Sequence, residues 1–141
     1  MDYKMLAEEF LEIKMKSTHV KMTREIAQMT KPDIFVLLYL KIHDGKAYPK
    51  DLSSEFRVSS ARIAVLLNKL ESDGYVERKP DENDNRQTVV ILSSKGEKLI
   101  NDKREIVVLK FAKLLELLGP EDAKEYIRLQ RKLCEAMKAP F

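Results

Sequence analysis

The sequence predicts a mainly α-helical fold with a small β-wing, and three observations carry that prediction. Apolar residues recur at spacings of three and four along most of the 141 residues, the period of an amphipathic helix. One stretch breaks the period: Tyr75 to Lys79 and Gln87 to Leu92 read as strands, the second through the β-branched run Thr88, Val89, Val90 and Ile91. Glycine and proline fall between the segments, at Lys31-Pro32, Asp44-Gly45, Asp73-Gly74 and Gly119-Pro120, where helices start and stop.

Residues 2 to about 28 contain no glycine or proline, and Tyr3, Leu6, Phe10 and Ile13 form one stripe of a first helix. From Thr18 to Met29 the pattern fits either an extension of that helix or a bent second piece. Thr30, Lys31 and Pro32 predict a helix start, a hydroxyl cap with proline in the first turn where its missing N–H costs little. Ile34 to Ile42 is apolar apart from Lys41, which predicts a helix buried on most sides in the middle of the domain and ended by His43-Asp44-Gly45. Leu52 and Phe56 lie at i and i+4 of a short helix from Pro49, and Arg57-Val58 connects it to the next.

That next helix begins at Ser59, an N-cap whose hydroxyl accepts a backbone N–H two or three residues on. Ile63, Leu66, Leu67 and Leu70 face one way, and Gly74 is the left-handed stop. Two helices joined by a few residues, the second polar at its N-terminus, form the arrangement that places the second helix in a DNA major groove. Between the strands, Pro80-Asp81-Glu82-Asn83-Asp84-Asn85 is a solvated tip. Helix, turn, helix, strand, tip, strand is a helix-turn-helix with a wing. Ser94 and Glu97 have capping-box spacing and open a long helix to Leu118; a last helix runs from Glu121 to about Lys138.

Residues 30–96 resemble the MarR family of bacterial winged-helix transcriptional regulators. The resemblance rests on Asp84-Asn85-Arg86 at the wing tip, followed by Val89-Val90-Ile91-Leu92-Ser93-Ser94-Lys95-Gly96, and on Leu70-Glu71-Ser72-Asp73-Gly74-Tyr75-Val76-Glu77-Arg78 before it. It implies a short strand near Ala47, and a DNA-binding region at 30–96 flanked by dimerisation helices at 1–29 and 97–141. It also implies that Arg86 enters a minor groove, that Asp84 orients Arg86, and that a repressor of this kind releases a pseudo-palindromic operator when a small aromatic or anionic effector binds. Such an effector would lie near the junction of Lys16 to Met29 with the helix from Thr30. The outer residues of the predicted recognition helix are the remaining DNA candidates. Ser59, Ser60, Ala61 and Arg62 lie at its N-terminus, where arginine can engage guanine in bidentate fashion. Asn68 and Lys69 are placed to meet phosphates. Val65 departs from the cation many relatives carry there and suits apolar contact with a thymine methyl.

The formal net charge of +3 neither favours nor excludes nucleic acid, so the case rests on where cations sit. The flanking helices carry more apolar surface than the winged helix can cover, which predicts a homodimer. With one cysteine, Cys134, no intrachain disulfide forms, and the N-terminus lacks a signal-peptide pattern; a cytoplasmic protein without a membrane span is expected. No nucleophile–base pair, phosphate loop or dinucleotide fingerprint points to an enzyme, and no cofactor is implied. His19 and His43 lack metal-ligand spacing, so no metal site is expected; His43 reads as a helix-terminal imidazole and Cys134 as a small packed hydrophobe rather than a redox switch. A winged-helix protein-interaction module, or a metal- or redox-responsive regulator of the same fold, are the competing readings.

Overall fold

A computed structural model of the chain describes residues 1–17, 24 and 27–138. The elements run α1 (Tyr3–Ser17), α2 (Pro32–Ile42), β1 (Lys46–Ala47), α3 (Pro49–Phe56), α4 (Ser60–Ser72), β2 (Val76–Pro80), β3 (Thr88–Leu92), α5 (Ser94–Leu118) and α6 (Pro120–Met137). The fold is mostly helical with one three-stranded antiparallel sheet in the order β1-β3-β2. Val76 faces Leu92 and Pro80 faces Thr88 across the hairpin, while Lys46 and Ala47 pair with Ile91 and Val90. The predicted short strand near Ala47 is therefore present, and Pro80 closes β2 rather than opening the tip. None of the described helices is long and apolar enough to cross a membrane. His19 and most of the 18–29 stretch lie outside the described residues.

The chain divides into two compact units, Met1–Arg104 and Glu105–Phe141. In the first, the core is built from Val36, Leu37 and Leu40 of α2, Leu52 of α3, Ile63, Leu67 and Leu70 of α4, Val76 and Val90 of the hairpin, and Ile100. These are the apolar periods of the sequence converging on one interior. A buried aliphatic side chain of this size contributes roughly 1.5–3 kcal/mol relative to exposure. The helix α2 is less enclosed than its composition predicts, because Phe35 and Ile42 are exposed.

Two predicted caps are wrong, each for a local reason. Thr30 does not cap α2: the capping position is Lys31, and the Thr30 hydroxyl donates back to the Ala27 carbonyl at 2.8 Å. At α5 the cap is Ser93 rather than Ser94. The Ser93 hydroxyl accepts from the Gly96 amide at 3.0 Å and donates to the Gly74 carbonyl at 2.6 Å, tying the end of α4 to the start of α5. A capping box would need a carboxylate three residues after Ser93, and Gly96 stands there; Glu97 instead pairs with Lys41 at 2.6 Å. Glycine is required at 96, since a Cβ would collide with the Tyr75 carbonyl oxygen and the Leu92 side chain.

No residue of α1 or α6 is buried. Phe10 of α1, Leu109 and Leu117 of α5, and Leu133 of α6 are exposed. Cys134 is exposed as well, not packed as the sequence predicts, because the apolar side of α6 is uncovered in the single chain.

Candidate nucleic-acid interface

The turn between α3 and α4 is fixed from both ends. Arg57 takes the left-handed conformation at φ 53°, and the Ser53 hydroxyl donates to the Val58 carbonyl at 2.6 Å while the Val58 amide donates to the Ser53 carbonyl at 3.2 Å. Ser59 then caps α4 as its sequence predicts, its hydroxyl accepting from the Arg62 amide at 3.2 Å. With Ile63, Leu67 and Leu70 buried and Leu66 half-buried, the helix has one rotational setting. Ser59, Ser60, Ala61, Arg62, Ala64, Val65, Asn68 and Lys69 are consequently exposed. The Arg62 guanidinium forms no side-chain bond to any described residue, and Val65 is 69% exposed, an uncompensated apolar group in the middle of that face. Lys69 is less free: its ammonium lies 4.0 Å from an Asp33 carboxylate oxygen.

The wing follows α4 through a clamp that sequence reasoning missed. Glu71 accepts from the Arg78 amide at 2.8 Å and from its guanidinium at 2.9 Å, fixing the hairpin against the end of the helix. Those hydrogen bonds hold the Glu71 carboxyl below the usual carboxylate range. Both residues sit in the motif that carries the resemblance, yet nothing in a linear reading pairs them.

The tip, residues 81–87, is an ordered turn. The Asp81 amide donates to the Gln87 carbonyl at 2.9 Å and the Gln87 amide to the Asp84 carbonyl at 2.9 Å. Asp84 does act on Arg86, but through the backbone: its carboxylate accepts from the Arg86 amide at 3.0 Å. Among the described residues no ion pair joins Asp84 to the Arg86 guanidinium; the contact between the two is this Asx-type turn. The Arg86 guanidinium is exposed and has no partner among the described residues. Outside the hairpin, the tip is tied by Tyr48, which precedes α3 and donates its phenol O–H to Asp81 Oδ2 at 2.7 Å. That bond pushes the phenol pKa up. The sequence carries one faint signal of it, an aromatic at a capping position where Ser, Thr, Asp or Asn is usual.

Beside the exposed face of α4 opens an apolar cleft of about 420 Å³, lined in part by Pro32, Phe35, Phe56, Val58, Arg62 and Val65. His43 ends α2 with Nδ1 2.8 Å from the Tyr39 carbonyl oxygen and its ring stacked on Tyr39 at 3.9 Å, as a helix-terminal imidazole would sit.

The chain is 34% identical to YfiV of Bacillus subtilis, an uncharacterized HTH-type transcriptional regulator, over 94 residues, 67% of this chain; it spans 58% of the length of that relative. Its fold superposes on a MarR family protein from Bacillus stearothermophilus with a TM-score of 0.79 at 24% identity, covering 99% of each chain. It also superposes on a mutant of MepR from S. aureus bound to an oligodeoxyribonucleotide, with a TM-score of 0.60 at 22% identity, covering 97% of this chain and 99% of that one. Residues 18–103 match the family described as transcriptional regulator SarA/Rot. Carrying that match together with an antiparallel wing packed behind a capped, outward-facing helix, the chain belongs to the SarA/Rot family of MarR-like winged-helix transcriptional regulators.

Proposed function

We propose that the protein is a homodimeric repressor that binds a pseudo-palindromic operator through α4 and the wing and leaves it when a small molecule binds. The observation that carries this reading is the pair of guanidiniums, Arg62 on α4 and Arg86 at the wing tip, both exposed and neither paired with a described residue. Charged groups left in water beside helix positions that reach base edges and at a hairpin tip that reaches a groove suit phosphate-rich duplex. Arg62, with Ser60 beside it, is placed to read a base edge. Val65 suits a thymine methyl, and Asn68 and Lys69 suit the flanking backbone. Lys69 exchanges its long contact with Asp33 for a phosphate. Arg86 enters a narrow A·T-rich minor groove, where the negative potential is greatest. The MepR mutant of the same fold that is bound to an oligodeoxyribonucleotide supports this use of the fold.

A second copy supplies the symmetry. The exposed apolar residues of α1, of α5 beyond Arg104 and of α6 leave water by pairing with those of a partner, at roughly 25 cal/mol per Å² buried. Two protomers then present their α4 helices to half-sites about one helical turn apart. The effector belongs in the cleft beside α4, whose volume suits a small ligand. There Arg62 would attract an anionic group, and a bound molecule would hold Arg62 and Val65 away from bases. A useful switch needs a differential affinity of about 1–3 kcal/mol between the two states.

Selection of bound sequences from random duplex, followed by a screen for molecules that release the selected duplex, tests the proposal. It predicts enrichment of an inverted repeat with A·T-rich flanks. Recovery of no common sequence would count against it.

A further inference from the structure

We propose that the hydrogen bond from Tyr48 to Asp81 positions the wing tip, setting where Arg86 meets the minor groove; the inference rests on the DNA reading above. Residues 81–87 lie beyond the last paired rung of the hairpin, Pro80 with Thr88. Their own turn is internal, made by the bonds among Asp81, Asp84, Arg86 and Gln87. Such a turn keeps its shape, but its direction follows the bend and twist of the two-stranded ribbon that carries it unless something outside holds on. Among the described residues, the one hydrogen bond from the tip to an element outside the hairpin is the 2.7 Å phenol–carboxylate bond. It is charge-assisted, hence shorter and stronger than a neutral one, and both partners are half-buried.

The anchor is also in the right place. Tyr48 is the residue on which α3 begins, directly after β1, and β1 is itself bonded to β3. The tip is thereby referred to the same helix-turn-helix that sets α4. Tyr48 contributes no side-chain cap to α3, so its phenol is not needed for that helix. The Lys50 ammonium lies 5.6 Å from the Tyr48 ring centroid and helps hold the ring in place. Tyr48 is thus a positioning residue, acting on DNA through Arg86 rather than by touching it.

The test compares Tyr48→Phe with wild type on an A-tract duplex and on a mixed-sequence duplex of equal length, by fluorescence anisotropy. Tyr48→Phe alters no charge and should weaken A-tract binding about threefold to tenfold, the range for one lost hydrogen bond, while mixed-sequence binding changes less. On an Arg86→Ala background the same change should have no further effect, and in the free protein the backbone amide order parameters of residues 82–86 should fall while those of β3 do not. Asp81→Ala sharpens the test because it removes a negative charge, which by itself would tighten binding to any duplex; positioning predicts looser A-tract binding instead. Unchanged A-tract affinity and tip order parameters in Tyr48→Phe, or an equal loss with and without Arg86, would overturn the inference alone. Wild-type protein that binds neither duplex would overturn the DNA reading and the inference with it.

Discussion

Leu67 and Leu117 are the same residue on the same kind of amphipathic helix, yet one is 1% exposed and the other 85%. Leu67 belongs to the winged-helix region, where α2, α3, α4 and the hairpin bury each other's stripes within one chain. Leu117 belongs to the C-terminal unit, where α6 buries nothing and the end of α5 stays open to water. The difference teaches that apolar periodicity announces a face that needs covering but not what covers it. In the first region the chain answers the need itself. In the second, and along α1, the answer proposed above is another copy.

The largest effect that sharpens this contrast is in the core. Leu67→Ala should lower unfolding free energy by about 2–5 kcal/mol in urea denaturation, whatever the protein concentration. Leu109→Glu and Leu133→Glu should act differently: light scattering should report a shift from dimer to monomer, and the thermal midpoint should lose its dependence on protein concentration. If both glutamate variants remained dimeric, the contrast between the regions would need another explanation.

Arg86→Ala comes next, at about 1–3 kcal/mol of duplex affinity in an anisotropy titration. Its folding stability should match wild type within about 0.5 kcal/mol, since the guanidinium bonds to no described residue. Unchanged affinity would remove the wing from the interface.

Glu71→Gln is the smallest effect and has a defined pH dependence. Arg78 lowers the Glu71 pKa in the folded state, so the clamp stabilises the fold above the ordinary carboxylate pKa and that contribution is lost as pH falls through the lowered value. Wild type should therefore lose stability in acid more steeply than Glu71→Gln, and the two curves should converge at the acid end. Parallel curves would show that the clamp does not contribute.

Much of this fold was legible because its signals are local. The Ser59 cap, the stop at Gly74, the stripe Ile63, Leu67 and Leu70, and the β-branched run of β3 each fall within a few residues, so spacing alone places them. The failures were also local, but turned on competition. Thr30 had a nearer carbonyl to serve than the helix after it, and Ser93, one residue earlier than Ser94, held the cap because its hydroxyl also reaches Gly74. The long-range ties were not legible. Tyr48 and Asp81 are 33 residues apart, and no periodicity links a phenol before one helix to a carboxylate in a hairpin tip. The exposed candidates on α4 were found because the buried ones fixed its rotation. Spacing places Cys134 on the apolar side of α6 but does not say that the single chain leaves that side bare.

The central claim is that two copies grip one duplex through α4 and the wing. The most direct measurement is a salt titration of binding to a selected duplex, with stoichiometry from sedimentation of the complex. The account predicts two protomers per duplex and a steep, linear fall of log affinity with log salt, shallower by about one in slope for each protomer when Arg86 is replaced by alanine. A single protomer per duplex, or an affinity indifferent to salt, would contradict it.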